Sequence, residues 1–400
     1  MVSPMTKNKN VLISGASIAG PALAHWLPRY GFDVTVVERA PELRPGGHNV
    51  DFRGDVHLNV LERMGILTDV RQMQTHGGKL VVVDGAGRQL AALPSEFMSG
   101  AVEIGRGDLA TILYDRTKHQ AEYVFGDYLT SLTETAGGVD VTFDRGAPRT
   151  FDLVVGADGM HSGVRALTFG PESRFTKFLG YYTAGASGPN HLDLDHTSLL
   201  YNEPGLGVMI GSNRDRDEAG PGFVFASEQL DYDRHDVEQQ KKIVADRFQG
   251  VGWLTPRLLE DMWASPDFYF DSISQIHLDR FSKGRVALLG DAGYGATMGG
   301  MGTGLAVVCA YVLAGELATA AGDHRVAFAA YERRIRDYAK GCQKISGNAG
   351  PFLAPPTEAK IRRRNRAYRL LSAKPLQSFF NRLTTKAATN LTLPDYLTAK

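Results

Sequence analysis

Glycines at positions 15 and 20 and a carboxylate at position 38 have the spacing needed to hold a pyrophosphate and a ribose. Gly15-Ala16-Ser17-Ile18-Ala19-Gly20 follows the apolar run Val11-Leu12-Ile13. A helical pattern then runs from about Ile18 to Tyr30, with Pro21 in its tolerant first turn and Gly31 as a stop. Val34-Thr35-Val36-Val37 follows and ends on Glu38. The order strand, tight turn, helix, strand, acid is that of a dinucleotide-binding βαβ unit. Gly15 permits the turn, and Gly20 lets the helix pack closely. The helix start offers free N–H groups and a partial positive charge to a phosphate. Glu38 is placed to accept from ribose hydroxyls. Ser17 stands where the middle glycine of this pattern belongs, and its small hydroxyl is able to donate to the phosphate. The plain alternative is a structural glycine turn in another α/β protein.

Two later segments repeat the theme of a buried strand ending in a Gly/Asp turn. Asp152-Leu153-Val154-Val155-Gly156-Ala157-Asp158-Gly159 enters a helix capped by Ser162. Arg285-Val286-Ala287-Leu288-Leu289-Gly290-Asp291-Ala292 leads through a glycine-rich loop past Gly304 into a long apolar helix.

The elements that must position these groups fill a chain of 400 residues, ample for two lobes. Lys plus Arg and Asp plus Glu number 44 each, so no basic excess points to nucleic acid. The basic run Lys360 to Arg366 reads as the solvated face of a late helix. Two separated cysteines, Cys309 and Cys342, give no disulfide framework, and a reducing, cytoplasmic setting is expected. The first ten residues contain no apolar signal core, and Leu305 to Leu313 is too short to span a membrane and reads as a buried helix. No membrane partner is expected. No GxSxG elbow, P-loop or HExxH helix is present, and the His191/Asp193/Asp195/His196 cluster reads as solvated loop rather than a metal site.

Taken together, these motifs resemble a group A flavoprotein monooxygenase, the family of para-hydroxybenzoate hydroxylase. Within it the chain is most similar to bacterial tetracycline-inactivating and polyketide-tailoring hydroxylases. The resemblance spans about residues 10–350 and rests on the GxSxxG turn with Glu38-Arg39, the Arg106 segment, Asp158-Gly159 and Gly290-Asp291 in family order. It implies FAD as cofactor, NADPH or NADH as co-substrate, and oxygen transfer to a small aromatic or polyketide-like molecule through a flavin C4a-hydroperoxide.

The resemblance also implies site residues. Gly15, Ser17, Ile18, Ala19 and Gly20 lie along the FAD pyrophosphate. Glu38 holds the adenosine ribose, with Arg39 beside it. Arg106 reaches the phosphate and ribityl region. Asp158 belongs to a motif tied to both FAD and NADPH, and Asp291 binds the ribityl chain. Gly300, Met301, Gly302 and Thr303 present N–H groups to the flavin pyrimidine edge, where donors at a helix start stabilise negative charge. Asp51 and Arg53 pass near the flavin. Met209, Phe223, Phe225 and Met298 are candidate substrate-lining residues. No general base can be named.

The chain departs from the family in one motif. Tyr294 stands at a histidine position, the following proline is absent, and Gly293, Gly295, Gly299 and Gly300 crowd the segment. A loop that is more mobile, or held by ligand, is expected there.

The expected fold class is α/β, with a Rossmann-type FAD-binding lobe, a mostly antiparallel β-sheet substrate lobe and a C-terminal helical region. The first lobe is assigned residues 1–78, 99–175 and 280–350, the second 79–98 and 176–279, and the helical region 351–400. Halogenases on this scaffold carry a Trp-x-Trp-x-Ile-Pro signature, absent here among Trp26, Trp253 and Trp263. A flavin oxidoreductase without oxygen insertion and a flavin- or ligand-binding protein with little turnover stay open at this level. So does the oligomeric state.

Overall fold

The computed structural model describes residues 8–43, 46–47, 49–93, 100–212, 214, 216–298, 301–371 and 391–396. Its principal strands are β1 (Asn10–Ser14), β2 (Asp33–Glu38), β3 (Lys79–Val83), β4 (Gln89–Leu93), β5 (Glu122–Phe125) and β6 (Leu153–Gly156). They continue with β7 (Thr176–Ala186), β8 (Thr197–Glu203), β9 (Leu206–Ser212), β10 (Ala219–Ala226), β11 (Phe268–Ile276), β12 (Ser282–Lys283) and β13 (Val286–Leu288). The helices that position the site are α1 (Ala19–Trp26), α2 (Arg106–Thr117), α3 (Gly163–Phe169), α4 (Val237–Arg247), α5 (Thr255–Ala264), α6 (Gly302–Thr319), α7 (His324–Ser346) and α8 (Glu358–Leu371).

The first sheet has the order β12-β13-β6-β1-β2-β5 and is parallel except for the β12–β13 pair. Its central strands are continuous apolar runs because both faces are covered: Val11 and Ile13 pack on the side of α1 and α6, while Leu12 and Val154 pack on Val164 of α3 and on Leu129, Val139, Val141 and Phe151 of a small antiparallel sheet. Val11 pairs with Val34 on one side and Leu153 on the other. This register brings the C-terminal ends of β1, β6 and β13 side by side, which is where open α/β sheets bind ligands.

The second sheet has the order β11-β7-β10-β9-β8-β3-β4. Every pair is antiparallel except β8 with β3. Its described strands come from residues 79–93 and 176–276. β9 and β10 pair antiparallel, from Leu206 with Phe225 to Ser212 with Ala219. Alternation along the strands gives the sheet two unlike faces. Tyr182, Val208, Ile210, Phe223, Phe225 and Phe270 pack on Val244, Phe248, Leu258 and Met262 of α4, α5 and the turn between them. Tyr181, Leu200, Met209, Val224 and Ile273 lie on the opposite face with Leu353, Tyr368 and Met298.

Three expectations change. The helix expected up to Tyr30 stops at Trp26, and Pro28–Tyr30 forms a 3-10 turn closed by Gly31 at φ +84°. Pro28 has no N–H with which to continue the α-helical ladder. The apolar stretch 305–313 is part of an 18-residue helix, α6, long and apolar enough to cross a membrane, and most of it is buried inside the protein. It is apolar all round because it is enclosed on all sides, by α1, α7 and the Tyr396 ring among others. Finally, Arg364 in the late basic run is not a solvated charge: it donates to the Phe352 carbonyl and to Asn202, tying α8 to the second sheet.

Candidate FAD and substrate site

The turn after β1 is built from groups that leave no room for side chains. Gly15 has φ +109°, and a Cβ there would meet the Ala157 carbonyl oxygen at 2.4 Å. A Cβ on Gly20 would lie 1.9 Å from the Gly15 carbonyl oxygen. Gly20 therefore packs on the turn itself, not only on the sheet. Glu38 holds the turn from the side. One carboxylate oxygen accepts Ala16 N at 2.8 Å and the other accepts Ala40 N at 2.9 Å. Ile18 precedes α1 without a side-chain cap, and no acid stands in the first turn. The orphan N–H groups of the helix start are thus left to an external anion. Ser17 is partly exposed beside them, while Ile18 and Ala19 are buried. Arg39 is exposed and lies over the Tyr128 ring at 4.3 Å.

The third motif meets the first. Gly290 has φ +64°, and a Cβ there would stand 3.1 Å from Ala19 Cβ and 3.4 Å from Ala306 Cβ. The strand end of β13 is thereby wedged between the starts of α1 and α6. Asp291 follows, and burial raises its carboxyl, with Arg106 opposing and Asp271 adding to the rise. A Cβ on Gly302 would lie 3.6 Å from Asp291 Oδ1, so the start of α6 faces this carboxylate. α6 has no side-chain cap and no acid in its first turn. Thr303 is partly exposed there, and Met301 is buried in the core of the first lobe. Gly300 lies outside the described residues.

Asp158 and Arg165 build the second motif. Asp158 accepts from Ser162 Oγ at 2.5 Å and from Val164 N at 3.0 Å, and Ser162 Oγ in turn accepts Arg165 N, so the two residues together cap α3. Arg165 is fully buried and donates to the carbonyls of Ala292 and Met160 and to Glu172. It therefore ties the second motif to the third. Asp51 and Arg53 form an ion pair at 2.8 Å, and Asp51 also accepts Gly100 N.

The loop after Asp291 is not loose over its described part. Tyr294 is buried and its hydroxyl lies 2.9 Å from that of Tyr331, which donates to the Leu288 carbonyl. Gln343 donates to the Tyr294 carbonyl, Ile276 N to that of Gly295, and Thr297 N bonds to Ser274 O. The phenol that replaces the family histidine thus acts as an anchor, and β11 holds the next three residues. This corrects the expectation of mobility through Thr297. Met298 has φ +64°, an uncommon conformation for a side chain of its size.

The candidate lining residues divide between the two faces of the second sheet. Met209 and Met298 are partly buried on the face with Tyr181 and Ile273. Phe223 and Phe225 are 0% and 1% exposed, on the other face against α4 and α5. They are core residues, because odd positions of β10 point away from the loop that carries Met298.

Two residues near Arg106 and Asp291 are not marked by any sequence motif, Tyr269 and Asp271 of β11. Tyr269 is within electrostatic range of Arg106, Asp291 and Asp271. Their alternate spacing within an aromatic strand was the available signal.

The parts present suit FAD: a glycine cradle, uncapped helix starts at α1 and α6, an acid at the end of β2, and a carboxylate facing the start of α6. Comparison with known proteins decides the family. The FAD binding domain family matches residues 8–345. This chain belongs to that family. An uncharacterized protein of Mycobacterium tuberculosis is 41% identical over 362 residues, covering 89% of this chain and 97% of that one. A flavin-dependent monooxygenase of Legionella longbeachae is 36% identical over 346 residues, covering 85% and 88%. The crystal structure of tetracycline destructase Tet(51) superposes with a TM-score of 0.84 at 33% identity, over 98% of this chain and all of that one. The chain is a flavin-dependent monooxygenase with FAD as cofactor and NAD(P)H as co-substrate. FAD supplies the electron and oxygen chemistry when bound. The protein's task is to bind, orient and supply protons.

Proposed function

We propose that this monooxygenase hydroxylates a small aromatic or polyketide-like molecule, held between the Met209 face of the second sheet and the loop carrying Met298. One observation supports the reading: Gly290 is wedged between Ala19 and Ala306, so the starts of α1 and α6 stand side by side. The loop from Gly290 to α6 runs along β11, where Ala296 bridges to Gln275, and its Met298 packs on the face of the sheet that holds Met209.

In this reading Gly15, Ser17, Ile18, Ala19 and Gly20 cradle the pyrophosphate, and Glu38 and Arg39 flank the adenosine. Arg106 and Asp291 hold the phosphate and ribityl region, with Arg53 and Asp158 bordering it. Gly302 and Thr303 present N–H groups to the flavin edge. Residues 1–78, 99–175 and 280–350 serve as the FAD lobe and 79–98 with 176–279 as the substrate lobe. The substrate class is supported by likeness to a tetracycline destructase and to an FAD-dependent monooxygenase of Sarocladium schorii, asL6. An enzyme of this kind works in the cytoplasm, where NAD(P)H is available.

The test is turnover of FAD-loaded protein with NADPH and isotopically labelled O₂ against a panel of phenols and fused-ring polyketides. The expected result is one labelled oxygen atom in a product. NADPH oxidation with the label recovered only in peroxide and water, for every compound, would count against the reading.

A further inference from the structure

Tyr269 and Asp271 stand two residues apart on β11, so their side chains leave the same face of the sheet. It is the face of Ile273, opposite that of Phe268 and Phe270. The Tyr269 hydroxyl donates to Asp271 Oδ2 at 3.4 Å, and His161 Nε2 lies 3.3 Å from the same oxygen. Across the ring, His161 Nδ1 lies 3.0 and 3.1 Å from the two oxygens of Glu172. A line of exchangeable protons therefore runs from Tyr269 through Asp271 and His161 to Glu172.

The two ends of this line differ. Tyr269 lies within electrostatic range of Arg106 and Asp291. Asp271, in the middle, is 8% exposed. The side chains of His161 and Glu172 are 38% and 26% exposed, so the outer end reaches water. Arg165 and Arg234 approach Glu172 at 3.3 and 3.4 Å and keep it charged. β11 also pins the loop after Asp291 through Ser274 and Ile276, which places the inner end beside the proposed flavin site.

We propose that Tyr269, Asp271 and His161 form the proton relay of this monooxygenase, delivering to the reacting oxygen the proton that each turnover consumes. The inference rests on the FAD reading and adds to it the acid–base residues that the glycine motifs do not reveal. Without substrate the balance is FADH⁻ + O₂ + H⁺ → FAD + H₂O₂. With substrate it is RH + FADH⁻ + O₂ + H⁺ → ROH + FAD + H₂O. In both, two electrons leave the flavin and one proton comes from the protein. Tyr269 turns its hydroxyl inward and gives that proton. His161 Nε2–H restores it through Asp271, and the imidazole regains a proton from water on its exposed side.

The resting state suits delivery. Burial works against a charge on His161, but the hydrogen bonds and charges of Asp271 and Glu172 outweigh it and push the imidazole up to about 9. Burial, reinforced by Asp271 and Asp291 against Arg106, raises the Tyr269 phenol, which is therefore protonated at neutral pH.

The experiment is stopped-flow reoxidation. FAD-loaded protein is reduced anaerobically with dithionite, mixed with oxygenated buffer without substrate, and followed by flavin absorbance from pH 6 to 10. The wild-type rate is expected to be level below about pH 9 and to fall above it. His161→Gln and Tyr269→Phe are expected to slow reoxidation on the order of 100-fold, with the His161 variant losing the alkaline limb. His161→Arg, which keeps the charge but gives up no proton in this range, stays slow if the proton is what matters. Recovery of the wild-type rate in His161→Arg would overturn the relay. Wild-type rates and pH profiles in variants that still bind FAD would do the same. A second readout needs no flavin. By NMR, His161 should titrate near 9 in the wild type and shift down in Asp271→Asn, whereas a wild-type value near 6.5 would overturn the line. A wild-type protein that takes up no FAD would overturn both readings, and the missing flavin absorbance tells that failure apart.

Discussion

Gly20 lies so close to Gly15 that a Cβ on Gly20 would stand 1.9 Å from the Gly15 carbonyl oxygen. The start of α1 is therefore held against the turn by the absence of a single methyl group. Gly20→Ala must push the helix away from the turn and misalign its N–H groups. FAD affinity is expected to fall at least about 10-fold, equivalent to about 1.4 kcal/mol. Fluorescence titration of the flavin-free protein measures it, and an unchanged affinity would show that the turn tolerates the shift.

Glu38 braces the same turn through Ala16 N and Ala40 N. Hydrogen bonds to a charged acceptor contribute about 1.5–3 kcal/mol each. Glu38→Gln keeps one acceptor oxygen and replaces the other with a donor facing an N–H. We expect weaker FAD binding by about 10-fold and a lower thermal midpoint, both read on the same preparation.

The two faces of the second sheet separate stability from selectivity. Phe223→Ala removes a fully buried ring from the cluster with Phe248 and should cost about 3–5 kcal/mol. Substrate preference should be unchanged in whatever fraction stays folded. Met209→Ala, on the opposite face, should cost less stability and alter the range of compounds that stimulate NADPH oxidation. Urea unfolding together with a substrate panel distinguishes the two, and the reverse pattern would move the substrate to the other face.

Stability should fall as the pH drops below about 6.5. His57 is fully buried, and burial, with Arg53 adding, pulls its imidazole down to about 3. Burial, with Arg29 and Arg116, does the same to His25, also to about 3. Both rings are neutral in the fold, whereas unfolded histidine titrates near 6.5. Between these values the unfolded chain binds more protons, so stability is complete above about 6.5 and is lost as pH falls toward about 3. Each ring adds a slope of up to about 1.4 kcal/mol per pH unit. His161 acts in the opposite sense: its raised value gives stability that is present below about 6.5 and lost as pH rises through about 9. Urea midpoints at pH 5, 6 and 7 check the acid side. His57→Gln should flatten that slope, and equal slopes in both proteins would contradict the assignment.

What the sequence discloses here is what local geometry disclosed to it. Gly15, Gly20 and Glu38 mark a turn whose conformation is set within one βαβ unit, and Gly290-Asp291 marks another. The relation between them could not be read, because the wedge of Gly290 between Ala19 and Ala306 depends on the parallel register of β1, β6 and β13. Phe223 and Phe225 lie on the face away from the flavin loop, and alternation along β10 gives two faces without saying which one meets that loop. The loop was expected to be loose because its glycines are visible in sequence. Its anchor, the Tyr294–Tyr331 contact, spans 37 residues and is not. His161, Asp271 and Glu172 come together only when β11 is set beside the second motif.

The three glycine motifs together are held to bind one FAD. This is tested most directly by titrating flavin-free protein with FAD and identifying the released cofactor after denaturation. One tightly held FAD per chain, weakened by both Gly20→Ala and Glu38→Gln, is the predicted result. Protein that takes up no FAD, or FAD binding indifferent to both substitutions, would contradict it.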